Sequence, residues 1–135
     1  MKALSIRQPW AFSILFGGKD IENRNWATRH TGLIALHASS KMTVDDFNDW
    51  KQFVYDRNLR GAWLDGKVIG DAKRGGIVGV CEITGCTVGS NSPWFVGEYG
   101  FTLAKPREIP FIPLRGQLGL FDLPPDIAAK VEAAL

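Results

Sequence analysis

The stretch Ala3-Leu4-Ser5-Ile6-Arg7-Gln8-Pro9-Trp10, continued through Gly17-Gly18-Lys19-Asp20-Ile21-Glu22-Asn23-Arg24, decides the fold. Leu4 and Ile6 alternate with Ser5 and Arg7, the period of a strand that buries one face and wets the other. Pro9 suits the first position of a helix, which needs no amide proton. Trp10, Ala11, Ile14 and Leu15 then recur at helical spacing, and Gly17-Gly18 predicts a left-handed stop. Beyond the stop, Glu22 and Arg24 share one face of an extended segment, Asn23 points away, and Lys19 stands at the entrance. Such a triplet is either a surface ion pair beside a solvated turn lysine or the lining of a site. Spacing leaves both readings open.

Working outward, residues 25–32 read as a polar loop carrying Trp26, and Leu33-Ile34-Ala35-Leu36 as a doubly buried strand closed by a structural His37. Residues 43–58 predict an amphipathic helix packed on the sheet. Thr43 and Asp46 form its capping box, and Val44, Phe47, Trp50 and Val54 face inward. Residues 58–76 are turn chemistry with apolar patches at Ala62-Trp63-Leu64 and Val68-Ile69, and Lys73-Arg74 could hold a phosphate. Residues 77–88 predict a long strand bent near Gly85, and further strands follow at 94–96 and 99–103. Gly97 and Gly100 mark a bulge or a close approach. Pro106, Pro110 and Pro113 suit an edge strand or strap, residues 118–121 could close a barrel, and Pro124-Pro125 opens a last helix with Ile127, Val131 and Leu135 inward.

The 135 residues fit one domain, 1–135, with no repeat or linker. The fold class this implies is α+β, a small, mostly antiparallel β-barrel with two or three peripheral helices. No apolar run is long enough for a membrane span or secretory signal, so a cytoplasmic protein is expected, with no membrane partner. Cys81 and Cys86 have neither redox nor zinc spacing and read as buried thiols. With only His30 and His37 to join them, no metal and no cofactor are expected. Net charge is only +2, but residues 1–30 hold five Lys/Arg against two acids. That end favours an anionic partner without the strongly basic footprint of a duplex-DNA binder.

The Q-P-W helix, the G-x-K-x-x-E-x-R run and the strand ending in H-A are carried by Gln8, Pro9, Trp10, Gly17, Lys19, Glu22, Arg24, His37 and Ala38. This pattern resembles the ASCH family of PUA-like β-barrel domains, and PWFVGEYGFTL resembles the family's closing strands. One departure is Thr31, where the family pattern has an arginine, with Arg29 an imperfect substitute. The resemblance implies RNA or nucleic-acid binding, nuclease activity, or an amidohydrolase acting on an acylated cytidine.

Three readings follow. The first is binding of RNA, single-stranded nucleic acid or a modified nucleotide at the barrel mouth. There Arg7, Lys19 and Arg24 would grip phosphate or carbonyl oxygens, and Gln8, Asn23 or Asn25 would read a base edge. Trp26 or Tyr99 would stack on the base. The second is a metal-independent hydrolase with Lys19 and Glu22 as catalytic residues, a ribonuclease or an amidohydrolase on an acylated cytidine. The amidohydrolase members have a threonine where this chain has Glu22. The third is a non-catalytic interaction domain, using the Pro106–Pro113 strap within a larger protein complex.

Overall fold

The chain alternates short strands with helices, and a computed structural model describes residues 1–59, 70 and 72–135. In order come β1 (Lys2–Ile6), α1 (Trp10–Phe16), β2 (Ile21–Arg24), β3 (Gly32–Ala38) and α2 (Val44–Asp56). Then follow β4 (Gly76–Thr87), β5 (Tyr99–Pro113), β6 (Leu120–Asp122) and α3 (Pro125–Ala133). The turns and apolar patches read within 60–69 lie outside the described residues.

The strands form one six-stranded sheet in the order β2-β5-β4-β3-β1-β6, curled into a half-barrel. β1 and β3 run parallel, and the other neighbouring pairs are antiparallel. The period-two pattern of β1 and β3 explains the layering. Leu4, Ile6, Ile34 and Leu36 pack with Ala11 and Ile14 of α1, while Ala3 and Ala35 join Phe121, Ile127 and Val131 on the face covered by α3. Both strands are buried on both faces.

α2 departs from the expectation that it packs on the sheet. Its Trp50 and Val54 join Phe12 of α1, Ile21 and Trp94 in a separate aromatic cluster. Trp50 is a core residue, and its indole donates to Ser13 Oγ at 2.8 Å. Val44, expected inward, is exposed at the first turn, and Leu135 is also exposed because α3 has ended before it. The capping box of α2 forms as expected. Asp46 N–H donates to Thr43 Oγ1 at 3.0 Å, and Thr43 N–H donates to Asp46 Oδ2 at 2.9 Å.

Pro9 precedes the first helical residue rather than occupying it, and the left-handed residue after α1 is Gly18, with φ of 74°. Residues 94–96 are not a strand: Trp94 is buried in a loop that holds it in the aromatic cluster. Gly100 does mark a close approach, since a Cβ there would stand 2.9 Å from Ile21 Cγ2 and Phe95 Cδ1. The Pro106–Pro113 segment, expected as an edge strand or a strap, is an edge-strand part of β5 that pairs with β4 alone among the described strands. Pro106 and Pro110 fall where the β4–β5 register shifts, so no ladder donor is lost, and β2 pairs only with residues 99–102.

β6 does not close a barrel, because it and β2 are the two edges of the sheet. A side chain spans the gap instead. Arg24 Nη2, on edge strand β2, donates to the Ser5 carbonyl of β1 at 2.9 Å. The same nitrogen donates to Glu22 Oε2 at 2.9 Å, and Nε does so at 3.1 Å. We expect Arg24→Met to lower stability by about 2–3 kcal/mol, from lost charge-assisted bonds in a partly buried pair. Arg24→Lys should fall between, since one ammonium cannot reproduce the fork. Urea unfolding of the three proteins measures both.

Candidate functional site

β1, the Gly17–Asp20 turn and β2 converge on a cavity of about 520 Å³. Arg7, Lys19, Glu22, Asn23 and Arg24 line it together with Trp10 of α1 and Phe53 of α2. Ser5, Ser39 and the Gln117–Gly119 loop complete the wall. The ammonium, carboxylate and guanidinium read from the sequence therefore meet.

Glu22 is the hub, with its side chain 10 % exposed. Its Oε1 lies 3.3 Å from Lys19 Nζ, while Oε2 takes the Arg24 guanidinium. Lys19 is more deeply placed, its side chain 2 % exposed. Its ammonium donates to the Ile21 carbonyl and lies 5.6 Å from the Trp10 ring centroid and 5.9 Å from that of Trp94. These rings offer a cation–π environment in place of water. Burial pulls the Lys19 pKa below its ordinary 10.5, outweighing the opposing pull of Glu22.

Arg7 stands at the rim, more than half exposed, with Nη1 donating to Asp46 Oδ1 at 2.9 Å. The Thr43 N–H, first, and then Arg7 hold the Asp46 carboxyl below its ordinary value. One carboxylate therefore fastens both the cap of α2 and the rim arginine.

Other candidates stand elsewhere. Gln8 is 2 % exposed and does not line this cavity. Its Oε1 accepts from Phe12 N–H and its Nε2 donates to the Lys73 carbonyl, both at 2.9 Å, so it serves the start of α1. Trp26 packs edge-on against Phe101 at 5.0 Å, and Tyr99 pairs with Arg24 in the ladder without reaching the cavity wall. Asn23 lines the cavity, but its amide braces the neighbouring loop through the Trp94 carbonyl and Val96 N–H. Among the described residues, the aromatic surfaces at the site are those of Trp10 and Phe53. In the sequence Trp10 reads only as part of the helical repeat and of the Q-P-W run. Phe53 lies three residues past Trp50, a spacing that could have exposed it.

On the opposite sheet face, His37 pairs with Ser5 in the β1–β3 register. Its Nε2 donates to the Leu114 carbonyl at 2.6 Å, so in the neutral ring Nδ1 accepts from Ser5 Oγ at 2.9 Å. A Cβ on Gly116 would stand 2.7 Å from His37 Cε1, so the backbone of the loop after β5 lies against the ring. His37 thus anchors that loop. Cys81 is fully buried and Cys86 only partly so; neither forms a disulfide, and burial pushes the Cys81 thiol up to about 12. Among the described residues, no three His, Cys, Asp or Glu side chains gather into a metal-binding group. None of the described helices is long and apolar enough to cross a membrane.

The ASCH domain model matches residues 4–99. The chain belongs to the ASCH family. This family is often linked to RNA binding. No curated protein matches the chain. In this ASCH domain the match covers Lys19, Glu22 and Arg24, whereas the Gln117–Gly119 wall lies beyond it.

Lys19 gives a pH signature. Between its lowered folded pKa and 10.5, the unfolded chain binds the proton that the folded chain has released. Stability contributed through Lys19 therefore rises with pH across that window, and the full burial penalty applies below it. Cys81 works in the opposite direction above its ordinary 9.0. Comparison with Lys19→Met cancels the cysteine effect. We expect the urea midpoint of the native protein to gain on that of Lys19→Met from neutral pH to pH ~10.

Proposed function

We propose that the cavity binds a nucleobase presented by single-stranded RNA or by a modified nucleotide. The observation that carries this reading is a pocket with two aromatic side chains in its wall and an ammonium–carboxylate pair at its base. Its volume, about 520 Å³, lies within the range of small-ligand sites. Trp10 and Phe53 offer apolar ring surface, the kind on which unstacked bases are held. Glu22 retains lone pairs for an exocyclic amino group, and Lys19 can donate to a neighbouring ring nitrogen or carbonyl. Cytosine and adenine present an amino donor beside an acceptor, so they match this pair better than uracil does.

The charges favour base contact over a phosphate grip. Arg24 is engaged by Glu22 and Ser5, and Arg7 by Asp46, so neither cation stands unpaired inside the cavity. This replaces a phosphate-gripping Arg24 with one that positions Glu22.

One observation favours a second, hydrolytic reading: Lys19 is buried beside a carboxylate at an open cavity, with its pKa pulled down. A deprotonated Lys19 can serve as base or nucleophile, with Glu22 shuttling the proton, on an RNA phosphodiester or an acylated cytidine. Glu22 in place of the amidohydrolases' threonine weighs against the second substrate.

Fluorescence anisotropy with labelled single-stranded RNA tests the binding reading. Lys19→Met and Trp10→Leu should each weaken binding about tenfold, the scale of one lost base contact. Unchanged affinity in both folded variants would remove the cavity as the binding site. The same preparation, kept in chelator with labelled RNA or N4-acetylcytidine, tests hydrolysis. Turnover that disappears in Lys19→Ala supports the enzyme, and no turnover in the native protein leaves binding alone.

A further inference from the structure

A second cavity, of about 640 Å³, adjoins the first, and Ser5, Ser39, Gln117 and Leu118 line both. The chemistry changes across that shared wall. The first cavity has aromatic rings and a carboxylate. The second has hydroxyls from Ser39 and Ser40, glycine backbone at Gly75 and Gly116, the His37 ring and the guanidinium-bearing Arg115. Among the described residues, no aspartate or glutamate lines it.

The nearby cations also differ in their engagement. Lys41 follows Ser40 and Arg74 precedes Gly75, so both flank lining residues, and both are exposed, as is Arg115. Among the described residues, none of these three cations has an ion pair, whereas every basic side chain lining the first cavity has a carboxylate partner. Leu118, 98 % exposed between Gly116 and Gly119, forms an apolar ridge where the cavities meet.

We infer that the second cavity is the bed for the sugar-phosphate backbone of a single-stranded polynucleotide whose base occupies the first cavity. The inference rests on the nucleobase reading above. Hydroxyls and cations without a carboxylate partner are the groups that contact phosphate and sugar, whereas a ring-walled pocket with a carboxylate reads bases. The shared wall joins the two, so base and backbone can be held together. The site would then recognise a polymer, with Lys41, Arg74 and Arg115 as its electrostatic track and Leu118 packed against the sugar at the turn between cavities.

The test compares cytidine with oligocytidylates of three and six nucleotides, using the native protein and the triple variant Lys41→Ala/Arg74→Ala/Arg115→Ala. The native protein should bind the hexamer at least tenfold more tightly than cytidine. The triple variant should lose that gain while binding cytidine as before, and its salt slope should fall by about 2, near 0.7 for each cation removed. A hexamer bound no better than cytidine, or a gain that survives in the triple variant, overturns the backbone bed and leaves the base pocket standing. Poly-glutamate competing as well as the hexamer also overturns it, because the track would then be a site for acidic peptides. Failure of both cytidine and hexamer to bind removes the nucleobase reading itself, and the backbone bed with it.

Discussion

The two-way grip of Arg24 is the contact on which the rest of the molecule depends. A six-stranded sheet that curls without closing leaves its β2 edge facing β1 across a gap with no ladder. One guanidinium crosses that gap to the Ser5 carbonyl while its fork holds the Glu22 carboxylate. The planar, always-charged group suits this task because it serves two acceptors from one rigid frame. Fold closure and site geometry therefore share a residue. Were Arg24 turned outward to meet a phosphate, Glu22 would lose its orientation and β2 its tie to β1.

The interior of the site follows from that constraint. With Glu22 fixed by arginine on one oxygen, its other oxygen faces Lys19, which also meets the Ile21 carbonyl and the rings of Trp10 and Trp94. Low local polarity favours the neutral amine, and the neighbouring carboxylate favours the ammonium; burial dominates. An incoming base that excludes more water would push further toward the neutral form, while one that draws Glu22 away would remove the opposing force. Asp46 plays a comparable linking role outside, tying rim to helix cap.

Much of this was readable from residues 3–24, because strand period, helix period and a glycine stop each have a local physical cause. Leu4 and Ile6 fell on the same face, Thr43 and Asp46 formed their box, and Glu22 and Arg24 met. What escaped was set by distant partners. Gln8 is polar and near the site in sequence, yet its amide is consumed by Phe12 and a carbonyl some sixty-five residues away. Trp94 read as strand because β-propensity cannot foresee that a loop will tuck it beneath α2. The Pro106–Pro113 segment read as an edge strand or a strap because proline argues against a central ladder, but the register shifts that place Pro106 and Pro110 within β5 have no local signal. Phe53 and Gln117 reach the cavity only through tertiary folding, and no local pattern distinguishes Gln117.

The register of β1 has a consequence for biosynthesis. Leu4 aligns with Leu36 on one side and with Leu120 on the other, so this strand acquires its second neighbour only when nearly all of the sheet has been made. At roughly 5–20 residues per second of translation, the nascent chain carries an uncovered β1 flank for seconds. The pocket wall from Gln117 to Gly119 arrives in the same late segment. A ribosome-bound chain halted before β6 would therefore hold the charged triplet without the enclosure around it, and would be a natural client for chaperones that shield strand edges.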